Sequence, residues 1–222
     1  GRIRRIISRP DKEIIKELKQ FSTSLVSDSM NRMGAVGGGI HEMFPNPGFC
    51  GPAVTVEEVE GGNLMSHAAL EYVQPGDVLV IDAKGVTTRS CFGGLQLLMA
   101  KKKGVAGVVI YGTVRDYDEM TKYKVPVFSL GVSPGGPLKG WSGNVNYPIS
   151  CGGAVANPGD IVMGDRDGIV VIPKAIAADV IPVCRERTQM EKEWFNRVEK
   201  GETTLDVVGL REKLKQYNVI YE

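Results

Sequence analysis

A mixed α/β fold in a single domain is what this chain of 222 residues predicts, on three observations. Helical and strand-like segments alternate through its middle. A Pro-Gly-Asp turn introduces a buried strand twice, at 75–77 and again at 158–160. No linker-like run interrupts the chain, and 42% hydrophobic residues at this length bury one sizeable core more readily than two.

The elements follow in order. In "DKEIIKELKQFSTSLVSDSMNRM" (11–33), Ile14, Ile15, Leu18 and Phe21 recur at helical spacing. A second short helix is expected from near Ser24 or Ser27 to just before "GAVGGG". "GPAVTVEEVEGG" alternates like a half-buried strand, and "NLMSHAALEYV" reads as a helix opened by Asn63, a good N-cap type. "PGDVLVIDAKG" is a turn and a buried strand, "FGGLQLLMAKKKG" a helix and "VAGVVIYG" a strand. The lysines 101–103 before Gly104 suit a helix C-terminus. "NPGDIVMGDRDGIVVIP" predicts a pair of strands joined at "DRDG", and the chain closes on a long charged helix and a short tail. The 28 glycines are dispersed between strands, as turns and close backbone approaches rather than a low-complexity tract.

Composition excludes several function classes. A net charge of +1 with 24% charged residues offers neither a nucleic-acid stripe nor a membrane-surface patch. Cys50, Cys91, Cys151 and Cys184 form no CxxC pair, which argues against structural zinc or a redox dithiol. Cys91 and Cys151 read as small core residues. "GAVGGG" lacks the Gly-Lys-Ser/Thr ending of a phosphate loop. His41 and His67 are too far apart for a local metal motif, and each reads as exposed or structural. No apolar run approaches the ~20 residues of a membrane span. The basic N-terminal stretch lacks the apolar core of a secretory signal, so a soluble, cytoplasmic protein is expected.

One stretch carries chemistry. "VAGVVIYGTVRDYDEM" (105–120) is a buried strand that ends in Arg115 and Asp116. Arg115 offers a planar fork for a carboxylate or a carbonyl oxygen. Asp116 is a hard oxygen donor suited to Mg²⁺ or Mn²⁺. In a strand the two would point apart, whereas in the turn beyond Gly112 they can converge. The glycines of "FGGLQLL" (92–98) open a helix whose free N–H groups suit a small carboxylate. Together these parts would hold a 2-oxo acid and stabilise the enolate left when a C–C bond breaks. The competing reading is a surface ion pair worth ~0–1 kcal/mol. Asn63, His67 and Asp82 are further lining candidates, with cap and core-turn roles open beside that one.

These stretches resemble the RraA-like proteins, a family of ribonuclease E activity regulators and class II 4-hydroxy-4-methyl-2-oxoglutarate / 4-carboxy-4-hydroxy-2-oxoadipate aldolases. The similarity runs through "STSLVSDSMNRMG", "FCGPAVTV", "GGNLMSHAAL", "PGDVLVIDAKG", "FGGLQLLMAKKKGVAGVVIYGTVRD", "PVFSLGVSP" and "NPGDIVMGDRDGIVVIP" to "KGETTLDVVGLREKL". The last favours the aldolase branch. The resemblance implies an αββα sandwich of the swivelling β/β/α type across 1–222, assembled as a homotrimer or hexamer. The C-terminal helix and tail, from about 175, would reach a neighbouring subunit. It further implies a divalent-metal-dependent lyase that releases pyruvate from 4-hydroxy-2-oxo diacids and also decarboxylates oxaloacetate. The alternatives are a non-catalytic ribonuclease E regulator or a lyase for another hydroxy-oxo acid.

The family signature is an Asp, twenty residues, then Arg-Asp. Matched residue by residue, Arg115 binds the 2-oxo acid and Asp116 ligates the Mg²⁺ or Mn²⁺. The outer-shell Asp falls at Gly94, a departure that removes a carboxylate; losses of this kind cost roughly 10–100-fold in metal affinity or activity. The amides of Leu95 and Gln96 still supply the carboxylate nest. A glutamate contributed by the neighbouring subunit matches Glu193, chosen over Glu191. Menaquinone methyltransferase, a label sometimes given to relatives, finds no nucleotide-binding loop here.

Overall fold

The computed structural model describes residues 1–222, and the chain divides into two compact units, Gly1–Ile181 and Pro182–Glu222. The first holds every strand. At its centre Phe49–Glu57, Val78–Asp82, Gly107–Tyr111 and Val127–Ser129 run parallel, in that spatial order. Parallel neighbours need crossovers, and short helices supply them: α3 (Leu64–Ala69), α4 (Gly94–Lys102) and α5 (Tyr117–Thr121). The predicted hairpin forms from Ile161–Asp165 and Gly168–Ile172, and its first strand extends the sheet antiparallel to Phe49–Glu57.

The Phe49–Glu57 strand departs from expectation, because eight of its nine residues are buried rather than every second one. Both faces of the sheet are covered. Val54, Val56, Leu79, Ile81, Val108 and Ile110 pack with Met65, Leu97 and Met120 of the crossover helices. Their alternates Ala53, Val78, Val80 and Val109 pack with Ile149, Cys151, Ala154 and Ala156 of a second β layer, and with Val162, Ile169 and Val171. A strand covered on both sides reads as an apolar run. The helical residues 11–33 split into α1 (Lys12–Leu18) and α2 (Thr23–Ser29), with Ser22 as the α2 cap, just before the expected start. Asp165 accepts the backbone N–H and the hydroxyl of Thr23, which fixes α2 beside the hairpin. Helices thus flank two β layers, the mixed α/β sandwich that was expected.

Burial drives the Cys50 and Cys151 thiols up to about 12 and the Cys91 thiol higher still, so none of these is a thiolate near neutral pH. A buried ion pair closes the floor of this unit. Asp77, with no exposed side-chain surface, accepts Arg9 Nε at 2.8 Å and Nη2 at 2.7 Å, and the Gln74 amide at 2.7 Å. Removing the guanidinium strands a buried carboxylate. Arg9→Met is therefore expected to destabilise the fold by about 3–5 kcal/mol, read as a fall in the urea midpoint.

In the second unit, the helix α6 (Ala177–Glu199), which begins in the first, continues past Pro182 and is followed by α7 (Thr204–Val207) and α8 (Arg211–Gln216). Arg197 binds Glu202 and Arg211 binds Asp206, tying these short helices together. No helix of the chain is long and apolar enough to cross a membrane.

Candidate functional site

The strand carrying the Arg-Asp pair does not end at Gly112. The chain turns and makes a second short strand, Thr113–Val114, parallel to Ser90–Phe92. Each of these leads into a helix, Ser90–Phe92 into α4 and Thr113–Val114 into α5. Two helix N-termini therefore meet at the carboxyl ends of two paired strands, the usual location of ligand sites in open α/β sheets. The Arg115 N–H donates to Phe92 O at 3.0 Å and sets the register there.

Asp116 has left-handed backbone geometry, φ 61° and ψ 42°. For a residue other than glycine this is uncommon and costs on the order of 1–3 kcal/mol, although Asp and Asn tolerate it best. The turn folds the Asp116 carboxylate back toward α4 instead of away from Arg115. Its Oδ2 accepts the Gly94 N–H at 3.1 Å and lies 3.8 Å from Arg115 Nε. A Cβ on Gly93 would sit 2.7 Å from that oxygen, so a larger residue there would displace the carboxylate from this position. Both side chains remain close to half exposed, and they face a small cavity of about 100 Å³.

Gly94, Leu95 and Gln96 form the first turn of α4 behind the Gly93 N-cap, which has no side chain to offer. The Gly94 amide already serves Asp116, leaving those of Leu95 and Gln96 for an anion. A side chain at 94 would meet Glu119 Cγ at 3.1 Å and Asp116 Cβ at 3.4 Å. Glu119 thus borders the space that a side chain at 94 would use, its carboxylate held by Lys122 and Tyr123.

Other residues complete the wall. Asn63, His67 and Lys139 line the cavity with Arg115 and Asp116. His67 and Asn63, both lining candidates from the sequence, are lining residues. Partial burial, and then the charge of Lys139, hold the His67 ring below the ordinary histidine value, so it is neutral near pH 7. Lys139 escaped sequence reading because it lies on a Gly/Pro-rich loop that only the fold brings here. The Leu138 N–H donates to Gly61 O at 2.7 Å, and Leu138 O accepts the Asn63 N–H at 3.3 Å. Asp82 is not part of the wall; it accepts the Lys84 N–H and ammonium at 2.9 and 2.7 Å. Glu191 approaches Arg187 at 4.0 Å along α6, whereas Glu193 is exposed within the second unit.

The chain has no cluster of three or more His, Cys, Asp or Glu side chains that could enclose a metal. A structural zinc site is built from such a cluster. Mg²⁺, by contrast, keeps most of its waters and takes one or two carboxylates. Asp116 is such a donor.

The sequence profile of the RraA-like family, described as Aldolase/RraA, matches residues 23–171 and so spans strands, helices and cavity together. The chain belongs to the RraA-like family. Among RraA-like relatives, a Halalkalibacterium halodurans protein named "Putative 4-hydroxy-4-methyl-2-oxoglutarate aldolase" is 36% identical over 181 residues, 82% of this chain and 86% of its own. RraAS2 of Streptomyces coelicolor, described as an unusual member of the RNase ES inhibitor RraA family, superposes with a TM-score of 0.77 at 30% identity. That match covers 86% of this chain and 99% of RraAS2. The RNA-processing inhibitor RraA of Thermus gives 0.64 at 28% identity, over 69% of this chain and 93% of the other. The RraA-like fold therefore serves proteins named for catalysis and others named for inhibition, and function is decided by the residues of the site.

Proposed function

We propose that this RraA-like protein is a divalent-metal-dependent lyase that cleaves 4-hydroxy-4-methyl-2-oxoglutarate-type diacids to pyruvate and a second 2-oxo acid. Decarboxylation of oxaloacetate would follow from the same enolate chemistry. The reading is carried by one observation: a guanidinium, a carboxylate and two open helix amides converge on one cavity. Asp116 would hold a Mg²⁺ or Mn²⁺ ion, and Glu193 of a neighbouring subunit in a homotrimer or hexamer would approach it. A bound cation of this kind supplies Lewis-acid polarisation of the 2-oxo group.

The chain's own residues do the rest. The Leu95 and Gln96 amides take the C1 carboxylate, and the Arg115 fork binds the 2-oxo oxygen, where negative charge grows as the C3–C4 bond breaks. Those bonding electrons become the pyruvate enolate, the C4 hydroxyl gives its proton to a water molecule and becomes a carbonyl, and C3 of the enolate then takes a proton from water. Lys139 offers a second positive centre in the same wall, matching the distal carboxylate of a diacid.

The test is pyruvate release from 4-hydroxy-4-methyl-2-oxoglutarate and from oxaloacetate, with Mg²⁺ and with chelator. Metal-dependent turnover supports the reading; none on either substrate, from folded protein, contradicts it. The names of the solved relatives favour a second reading, a ribonuclease-binding regulator, for which retention of a ribonuclease E on the immobilised protein is the discriminating result.

Gly94 gives a gain-of-function prediction. The Glu119 methylene lies 3.1 Å from a Cβ at 94, so Glu119 must give way by a few tenths of an ångström, and its half-exposed side chain can do so. Gly94→Asp then sets a second carboxylate beside Asp116. Mg²⁺ affinity measured by calorimetry is expected to rise about 10–100-fold.

A further inference from the structure

The helix α4 is apolar on two sides, and the core uses only one of them. Leu97 and Ala100 are buried within the core cluster. Leu95 and Met99, one turn apart on another side, are 76% and 45% exposed. They form an apolar ridge that folding leaves open, directly behind the amides assigned to the substrate carboxylate.

Beside the ridge lies a cleft of about 420 Å³. Leu95 and Met99 wall it on the α4 side, and His67 with the buried Leu70 on the α3 side. Its charged residues, Glu71 and Lys103, are exposed and of opposite sign. The cleft is therefore apolar and neutral on balance, a poor match for an anion and a good one for an alkyl group. His67, Leu95 and Gln96 also line the cavity that holds Arg115 and Asp116, so the two spaces share a wall. That cavity is only about 100 Å³, and its walls carry Asn63, Arg115, Asp116 and Lys139.

We propose that the cleft between α3 and α4 receives the C4 alkyl group of the substrate, an inference that rests on the lyase reading above. The chemistry of the substrate selects the group. A 4-alkyl-4-hydroxy-2-oxo diacid carries carboxylates, an oxo group and a hydroxyl, which suit the polar cavity. Its one apolar substituent is the alkyl group at C4, and the way out over Leu95 is apolar. A single methyl leaves most of the cleft empty. From Leu95 to Met99 the helix rises about 6 Å, the span of an alkyl chain of about four carbons. The substrate class is thus the diacids whose C4 chain is longer than methyl. Cleavage is the same step as before: the C3–C4 electrons become the pyruvate enolate, which takes a proton from water at C3. The C4 hydroxyl gives its proton to water and becomes the carbonyl of the second product, 2-oxohexanoate when the C4 group is butyl.

The test compares kcat/KM for 4-butyl-4-hydroxy-2-oxoglutarate with that for 4-hydroxy-4-methyl-2-oxoglutarate, both with Mg²⁺, in wild type and in Met99→Gln. Rates are counted per substrate cleaved, because the methyl compound yields two pyruvates. A fully buried methylene is worth about fourfold, and three more of them in an open cleft are expected to favour the butyl substrate about tenfold. Met99→Gln keeps side-chain length and helix propensity but sets an amide in the cleft, and the ratio is expected to fall to about one. Because Met99 is nearly half exposed, the thermal midpoint is expected to stay within about 2 °C. A wild-type ratio of one or less, as when a second copy of the chain covers Leu95 and Met99, overturns the alkyl subsite and leaves the lyase reading standing. A raised ratio that Met99→Gln does not lower puts the alkyl group elsewhere and overturns it as well. A wild type that cleaves neither diacid overturns both.

Discussion

Asp116→Asn is expected to lower metal-dependent pyruvate release about 10³-fold, since several kcal/mol of charge stabilisation depends on that carboxylate and each 1.36 kcal/mol is a factor of ten. Asparagine is the informative replacement. After glycine, it and aspartate are the residues most at home in left-handed backbone, so the φ of 61° at this position survives. Its amide oxygen can still accept the Gly94 N–H, now at 3.1 Å, and hold the start of α4 against the turn. What disappears is the negative charge. The check is initial rate against Mg²⁺ concentration, with the thermal midpoint taken on the same protein. A variant with activity within tenfold of wild type and the same Mg²⁺ requirement would show that Asp116 does not anchor the cation.

Arg115→Lys carries the second large effect, a fall in kcat/KM of about 10²–10³-fold, the range seen when a donor aimed at a developing oxyanion is removed. Lysine keeps the charge and loses the planar fork, so a contribution of charge alone would leave activity nearly intact. Arg115 makes only a 3.8 Å approach to Asp116 and is 44% exposed, so its replacement is expected to change stability by less than about 0.5 kcal/mol. Loss of rate without loss of stability separates a substrate-binding guanidinium from a surface ion pair.

Much of this architecture is legible in the sequence because local signals and tertiary placement agree. The Pro-Gly-Asp turns, the glycine-opened α4 and the "DRDG" hairpin each carry their own turn chemistry, and each forms where that chemistry predicts. The convergence of Arg115 with Asp116 follows from a turn directly after a strand, although the intervening Thr113–Val114 strand and the left-handed residue have no sequence mark.

Illegible features depend on partners distant in sequence. Asn63 reads as a cap because its residue type and position fit one, and only the fold brings Glu58 to displace it. Phe49–Glu57 alternates in residue type yet is buried on both faces, because a second β layer built from residues about a hundred positions later covers the side that would otherwise face water. Lys139 enters the wall through backbone bonds from Leu138 to Gly61 and Asn63, which no local pattern announces. In each case the deciding neighbour comes from another element, and periodicity sees only its own.

The measurement that bears most directly on the strand tip as an enolate site is proton exchange at the methyl group of pyruvate in deuterated water, followed by NMR with Mg²⁺ present. It needs no knowledge of the natural C4 substituents, only formation of the enolate that Arg115 and the Asp116-held cation would stabilise. The predicted result is loss of the methyl signal in the presence of wild-type protein, abolished by chelator. Exchange no faster than in protein-free solution, from folded protein with Mg²⁺ supplied, would contradict the enolate chemistry assigned to this site.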